Sequence, residues 1–439
     1  MKRIFIVILL IGFINQLAFA QDFDKAKLDN YFNAVEVNNK FMGSVAVSQN
    51  GKIIYTKSVG FSYFEDKVKA TENTKYRIGS ISKTFTTVLV LKAVEEKKLD
   101  LKQTIQKFFP SIQNANKITI QNLLSHRSGI HNFTDDEDYG NWSTTAKTQK
   151  EMIDIIAAKG SDFDPGSKAQ YSNSNFVLLT FILEKTFKTS YAELLTKYIS
   201  KPLGLTSTYL GRNINLKNNE AKSYSYDEDW KAETETDISI PLGAGGIVST
   251  PVDLVKFSDA LFSGKLLKKE SLDLMKTIKD NYGVGLFKIP FYERAGYGHT
   301  GGIDGFTSAF SHFDDGNISY AMTSNGTNFN NNDISLTVLS AMYGRPYGIP
   351  DFKTFEVKSD DLDQYLGVYS STQMPLKITI TKNEKTLIAQ ATGQSSFELE
   401  ATEKNKFKFE KAGVVIEFNP KEKTMVLKQG GGTYSFTKN

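Results

Sequence analysis

Apolar and polar positions recur along this chain of 439 residues in patterns that predict most of its elements. Leu28, Phe32, Val35 and Val37 stand at helical spacing, which predicts an amphipathic helix over residues 24–38. Gly43 to Ser48 and Lys52 to Lys57 are alternating runs on either side of Gln49-Asn50-Gly51, the signature of a hairpin. From Thr86 to Val94 the chain is apolar on nearly every face, so the helix it predicts belongs inside the protein. Ser174 to Lys188 reads as another buried helix, whereas residues 134–170 read as loop and polar helix. Leu242 to Pro251 is glycine-rich, as a backbone held close to something requires, and opens a helix through Asp253, Leu254, Phe257 and Leu261. No lysine follows those glycines in the register of a phosphate-binding loop. Gly305 to His312 and Asn317 to Ser324 predict paired strands around Asp314-Asp315-Gly316.

The pattern changes at Pro346 to Pro350. Beyond it, short alternating segments recur at Lys377–Thr381, Thr386–Ala391, Ser396–Leu399, Lys406–Phe409, Val414–Phe418, Met425–Lys428 and Thr433–Thr437. Six or seven strands at this spacing predict a small antiparallel barrel or sandwich. The expected organisation is a main domain over 21–350 and an all-β, lipocalin-like module over 355–439. Residues 1–20 read as a secretory signal peptide: Met1-Lys2-Arg3 is cationic, Ile4 to Ile14 is apolar, and Ala18-Phe19-Ala20 offers a cleavage site. The expected location is therefore periplasmic or secreted, with no membrane span once the leader is removed.

A formal charge of +4 is far from the balance of a nucleic-acid-binding protein, and no nucleic acid is expected as a partner. With no cysteine in the chain, disulfides, thiolate metal sites and cysteine nucleophiles are excluded. The cluster Asp135, Asp136, Glu137 and Asp138 lacks the alternating ligand spacing of a calcium loop and reads as solvated. His126 and His131 accompany neither a G-x-S-x-G elbow nor an H-E-x-x-H helix, and read as hydrogen-bonded loop residues; His312 reads as structural. Neither a metal nor a cofactor is expected.

Candidate chemistry begins at Ser80 and Lys83, which share a helical face at the start of the buried helix. A serine hydroxyl attacks a carbonyl only with a base beside it, and Lys83 is placed to supply or tune one. The bland alternative is a capping serine and a snorkelling lysine. S-x-x-K also recurs at Ser435-Phe436-Thr437-Lys438, in a terminal strand. Tyr171-Ser172-Asn173 stands directly before the second buried helix, and His299-Thr300-Gly301-Gly302 opens a strand.

Taken in order with their surroundings, these segments resemble the serine β-lactamase and penicillin-binding-protein superfamily. The nearest branch holds class C β-lactamases, DD-carboxypeptidases, D-aminopeptidases and related esterases. The resemblance spans residues 25–345 and rests on Arg77 to Phe85, Leu123 to Ile130, Gly245 to Thr250 and Gly298 to Gly302. It implies an α+β fold, an antiparallel sheet flanked by helices with an all-helical subdomain. It also implies an acyl-enzyme on Ser80, with Lys83 and Tyr171 as base and acid, the tyrosine acting as a phenolate if a neighbouring cation favours that form. Asn173 would orient Lys83 and bind the substrate amide, and the Ser80 and Gly302 N–H groups would form an oxyanion hole. His299, Thr300 and Gly301 would line the substrate strand and help hold a carboxylate. Class C β-lactamases have lysine at the position of His299, so efficient lactam hydrolysis is not implied. The expected enzyme is a secreted serine hydrolase, first a DD-carboxypeptidase or D-amino-acid peptidase. The alternatives are a β-lactamase, a carboxylesterase, or a penicillin-binding protein with little turnover. Its substrate would be a D-amino-acid peptide, an ester or a β-lactam, with peptidoglycan among the admissible partners. In some resembling members a β-barrel appendage contacts the cleft and limits substrate size, so the C-terminal module is a candidate gate and equally a candidate packing or wall-binding module.

Overall fold

The computed structural model describes residues 23–352 and 355–439, and the expected leader lies outside them. The predicted first helix is α1 (Lys25–Val37), capped by the Asp24 carboxylate on the Lys27 N–H, and the predicted hairpin is β1 (Phe41–Gln49) and β2 (Lys52–Val59). They are followed by the short strand β3 (Tyr76–Arg77), the buried helix α2 (Ser82–Glu95), the second buried helix α3 (Asn173–Phe187), strand β4 (Ile247–Ser249) and helix α4 (Pro251–Phe262). Four strands β5 (Phe287–Phe291), β6 (Arg294–Ile303), β7 (Phe306–Phe313) and β8 (Ile318–Thr327) then lead into α5 (Asn331–Met342). The central sheet is antiparallel throughout, in the order β5-β6-β7-β8-β1-β2.

Alternation along the central strands sorts their side chains onto two faces. Val45, Val47, Tyr320 and Met322 pack with Leu28, Phe32 and Val35 of α1 and with Ile334 and Val338 of α5. Ala46, Ala321 and Phe310 face the other way, into the larger core that holds α2, α3 and α4. With both faces covered, β1 is buried along almost its whole length, so the residues that alternate in its sequence, Ser44 and Ser48 included, are buried on either face. The same larger core takes in the short helices Ile120–Leu124, Gln149–Ala158 and Tyr191–Leu195, giving an all-helical layer beside the sheet.

Helix α2 is the hub of that core. Its residues from Ser82 to Leu91 are all buried, as expected of a helix with no polar face. Phe85 stacks on Phe257 of α4 with ring centroids 3.8 Å apart, both rings fully buried. Phe85→Ala is expected to cost about 3–5 kcal/mol, the transfer and cavity terms together. Denaturant unfolding of the purified variant measures it, and a cost under about 1 kcal/mol would mean the site collapses around the gap.

The C-terminal segment forms a closed antiparallel barrel of β9 (Gly367–Ser370), β10 (Lys377–Asn383), β11 (Thr386–Ala391), β12 (Phe397–Glu403), β13 (Lys406–Phe409), β14 (Val414–Asn419), β15 (Thr424–Gln429) and β16 (Gly432–Lys438). It is a barrel and not a sandwich, because β9 closes on β16 through the pairs Tyr369↔Lys438 and Ser370↔Thr437. Sequence patterning missed β9, since Gly367–Ser370 is too short to show alternation. The interior is filled by Tyr365, Ile380, Leu387, Phe407, Ile416 and Phe436, among others. The barrel meets the main domain where Lys411 Nζ donates to the Tyr226 carbonyl at 3.5 Å and where Gly413 lies against the Asn330 side chain. No described helix is long and apolar enough to cross a membrane.

Candidate active site

Ser80 lies on a single 3-10 turn, Gly79–Ile81, just ahead of α2, and its side chain caps neither element. Its Oγ faces two partners instead: Lys83 Nζ at 3.0 Å and Tyr171 Oη at 2.8 Å. Lys83, one turn into α2, is fully buried. Its nitrogen also reaches Asn173 Oδ1 and the Ala244 carbonyl, each at 2.7 Å. These partners are all uncharged, and burial holds the Lys83 amine well below the ordinary lysine range. The glycine-rich segment is thereby explained: Gly243 to Gly245 brings the Ala244 carbonyl against Lys83.

Tyr171 and Asn173 are delivered by the entry to α3. The Asn173 N–H donates to Asn132 Oδ1 at 2.8 Å, and Asn173 Nδ2 donates to Thr134 Oγ1 at 3.0 Å, which aims Oδ1 at the lysine. Burial pushes the Tyr171 phenol upward, only partly offset by its bond to Ser80. The phenol, not the phenolate expected beside a cation, is therefore the resting form.

His126 lies in a loop, as expected, at φ 55°. The structure adds that its ring stacks on Tyr171 at 4.4 Å and contacts Phe176 and Tyr282. The Ser172 N–H donates to its Nδ1 at 3.1 Å, so the ring proton sits on Nε2. Burial, with Lys83 and His299 nearby, keeps this imidazole neutral. The signal was present in Leu123 to Ile130, but nothing local shows which ring the histidine will cover. His131 lies between Asp162 and Asp136, whose carboxylates overcome burial and raise its pKa. Asp136 also pairs with Lys159 and is nearly buried, so that member of the acidic cluster is not solvated.

The opposite wall is β6. A β-carbon on Gly79, at φ 49°, would stand 2.7 Å from the Gly302 nitrogen, and one on Gly301 would stand 2.1 Å from the Ile78 carbonyl oxygen. Glycine at both positions lets the Ser80 turn and the end of β6 touch. Thr300 is exposed on the strand, whereas His299 is 2% exposed and packs on Phe287. His299 Nδ1 meets the Thr300 carbonyl at 2.5 Å, and burial, followed by Lys83, pulls its pKa down to about 3. A histidine this far depressed is neutral at any ordinary pH and offers no charge to a substrate carboxylate.

Ser80, Asn173 and Gly302 open onto a cleft of about 220 Å³. Its walls come from residues 80–304, and the barrel contributes none of them. Phe133 and Tyr139 form an apolar side, backed by Trp142 with its ring 5.1 Å from that of Tyr139; Pro241 and Ile303 extend it. No lysine or arginine lines this cleft among the described residues. Phe133, Thr134 and Thr236 carry no signal in the sequence, because they reach the cleft from loops whose path is set by distant contacts.

Comparison with known proteins agrees with this geometry. The family model described as Beta-lactamase matches residues 39–341. Penicillin-binding protein 4* of Bacillus subtilis (strain 168) is 25% identical over 440 residues, 92% of this chain and 96% of that protein. Teichoic acid D-alanine hydrolase of Staphylococcus aureus (strain MRSA252) is 29% identical over 285 residues, 63% of this chain and 69% of that protein. Among solved structures, D-amino acid amidase from Ochrobactrum anthropi SV3 superposes with a TM-score of 0.64 at 25% identity, covering 72% of this chain and 98% of that one. With a family match over residues 39–341, the chain belongs to the Beta-lactamase family, within the serine β-lactamase and penicillin-binding-protein superfamily, and is a serine hydrolase.

Proposed function

We propose that this protein hydrolyses D-aminoacyl esters or amides through an acyl-enzyme on Ser80. The convergence of Lys83 Nζ and Tyr171 Oη on Ser80 Oγ carries the reading. A neutral lysine has two N–H groups and one lone pair. Asn173 Oδ1 and the Ala244 carbonyl take the two N–H groups, which leaves the lone pair for the Ser80 proton. Ser80 Oγ then bonds to the substrate carbonyl carbon, and its proton passes to Lys83. The developing oxyanion lies between the Ser80 and Gly302 amides. As the ester or amide bond breaks, Tyr171 gives its proton to the leaving group and Lys83 restores it. Water cleaves the acyl-enzyme by the same steps in reverse roles.

The expected DD-carboxypeptidase becomes the second reading. A peptide ending in D-alanine, like a β-lactam, brings a carboxylate, and the walls of the cleft offer it no cation, while His299 is neutral. A D-alanyl ester or amide brings a neutral carbonyl and a free amine, and needs no such partner. The likeness to penicillin-binding protein 4* and the exposed Thr300 on β6 favour the carboxypeptidase. Action in the periplasm or outside the cell belongs to the same proposal and rests on the leader-like residues 1–20. Assay of D-alanyl esters and amides against a peptide ending in D-Ala-D-Ala decides between them. The expected result is a kcat/KM at least about tenfold higher for the esters or amides, the scale of one unmade ionic hydrogen bond. A preference for the peptide reverses the assignment.

A further inference from the structure

Arg77 stands three residues before Ser80, and its guanidinium is 2% exposed. Nη1 donates to Asp304 Oδ2 at 2.9 Å and to the Thr236 carbonyl at 2.8 Å. Nη2 donates to the Arg212 carbonyl at 3.1 Å and to Glu235 Oε2 at 3.3 Å. The Asp304 side chain is 4% exposed, and its second oxygen accepts the Thr236 N–H at 3.0 Å and the Thr236 hydroxyl at 2.7 Å. One buried charge pair thus ties together the strand that leads into Ser80, the cleft loop at Thr236, and the turn that ends β6.

That turn is the two-residue link Asp304-Gly305, closed by the pair Ile303↔Phe306, with Asp304 held at φ 51°. Gly302 stands two residues before Asp304 and pairs with Thr307. On the inner side, Ser308 Oγ donates to the Ile78 carbonyl at 2.8 Å, so the same hairpin is also bonded to the residue before Gly79. A buried ion pair gives little net stability, because desolvating both charges offsets their attraction. What this pair supplies is geometry: the planar fork of arginine holds several acceptors at fixed angles.

We infer that Arg77 and Asp304 are positioning residues for the oxyanion side of the cleft, fixing the direction of the Gly302 N–H relative to Ser80. The inference rests on the acyl-enzyme reading and extends it to residues that touch no reacting atom. A displacement of about 1 Å at such a site costs on the order of a hundredfold in rate.

The test uses the full chain with Asp304→Asn, which keeps the shape, and Arg77→Lys, which keeps the charge. Each is assayed on a neutral ester and on the matching thionoester, whose sulfur is a poor hydrogen-bond acceptor, and each is titrated with a boronic acid that forms a tetrahedral adduct on serine. The expected result is a fall in kcat of roughly tenfold to a hundredfold on the oxygen ester with KM little changed. The thionoester rate should fall far less, and boronate affinity should drop in step with kcat. Equal losses on both esters, a loss in KM alone, or unchanged rates would overturn the inference and leave the pair structural. Should Arg77→Lys fail to fold, Asp304→Asn carries the comparison alone. If the acyl-enzyme reading itself is wrong, the unaltered protein shows no burst on either ester and Ser80→Ala retains turnover, which is a different result from any of these.

Discussion

Ser80→Ala is expected to lower kcat on the order of 10⁶-fold, the scale of losing the nucleophile from an intact catalytic set. The loss should be of this size because, among the described residues, Ser80 carries the one hydroxyl bonded to Lys83. His126 and His299 are buried and neutral and are bonded elsewhere through Nδ1, and the chain has no cysteine. Substrate binding should survive, since the aromatic wall and the Gly302 side of the cleft are untouched. Burst kinetics with an ester reporter measures this directly: the burst disappears, whereas KM-type binding remains. A variant with near-normal turnover would remove Ser80 from the reaction.

Lys83→Met is expected to lower the acylation rate by roughly 10²–10⁴-fold, the range for a positioned base. The effect should not add to that of Ser80→Ala, because the lysine acts only through the serine proton; the double variant should match the single one. The pH profile gives a second readout, and its sign follows from burial. The Lys83 pKa is lowered well below 10.5, and only the free amine has a lone pair for the proton. Activity is therefore full above the depressed pKa and falls as pH drops through it, one proton at a time. In Lys83→Met that acidic limb should vanish from the residual rate. A limb that persists unchanged in Lys83→Met would assign it to another group.

The parts of this molecule that were legible in the sequence are those whose physics is local. Ser80 and Lys83 lie one helical turn apart, and the apolar stretch behind them can only be a buried helix, so their meeting followed from spacing. Tyr171 and Asn173 were different. The same Y-x-N pattern at Tyr31 belongs to α1, with its ring buried against the sheet, and at Tyr139 it belongs to the aromatic wall. Only the order of the motifs and the family resemblance picked out the third copy. Electrostatics was the least legible layer. Spacing cannot show that three uncharged groups surround Lys83, or that Phe287 packs on His299, and those surroundings set the forms in which the lysine, the tyrosine and the strand histidine rest. Arg77 and Asp304 are far apart in sequence, and no pattern within either segment anticipates their contact.

The way the barrel closes limits how anything else can bind it. With β9 joined to β16, each described barrel strand has a neighbour on both sides, but the seam is two residue pairs long and leaves Gly432 to Phe436 of β16 paired on one side only. Away from that short stretch, a wall polymer or protein that docks on the barrel meets side chains and connecting loops and not open backbone. Longer open margins, where an added strand has more backbone to pair with, lie at the two ends of the central sheet, on β2 and β5.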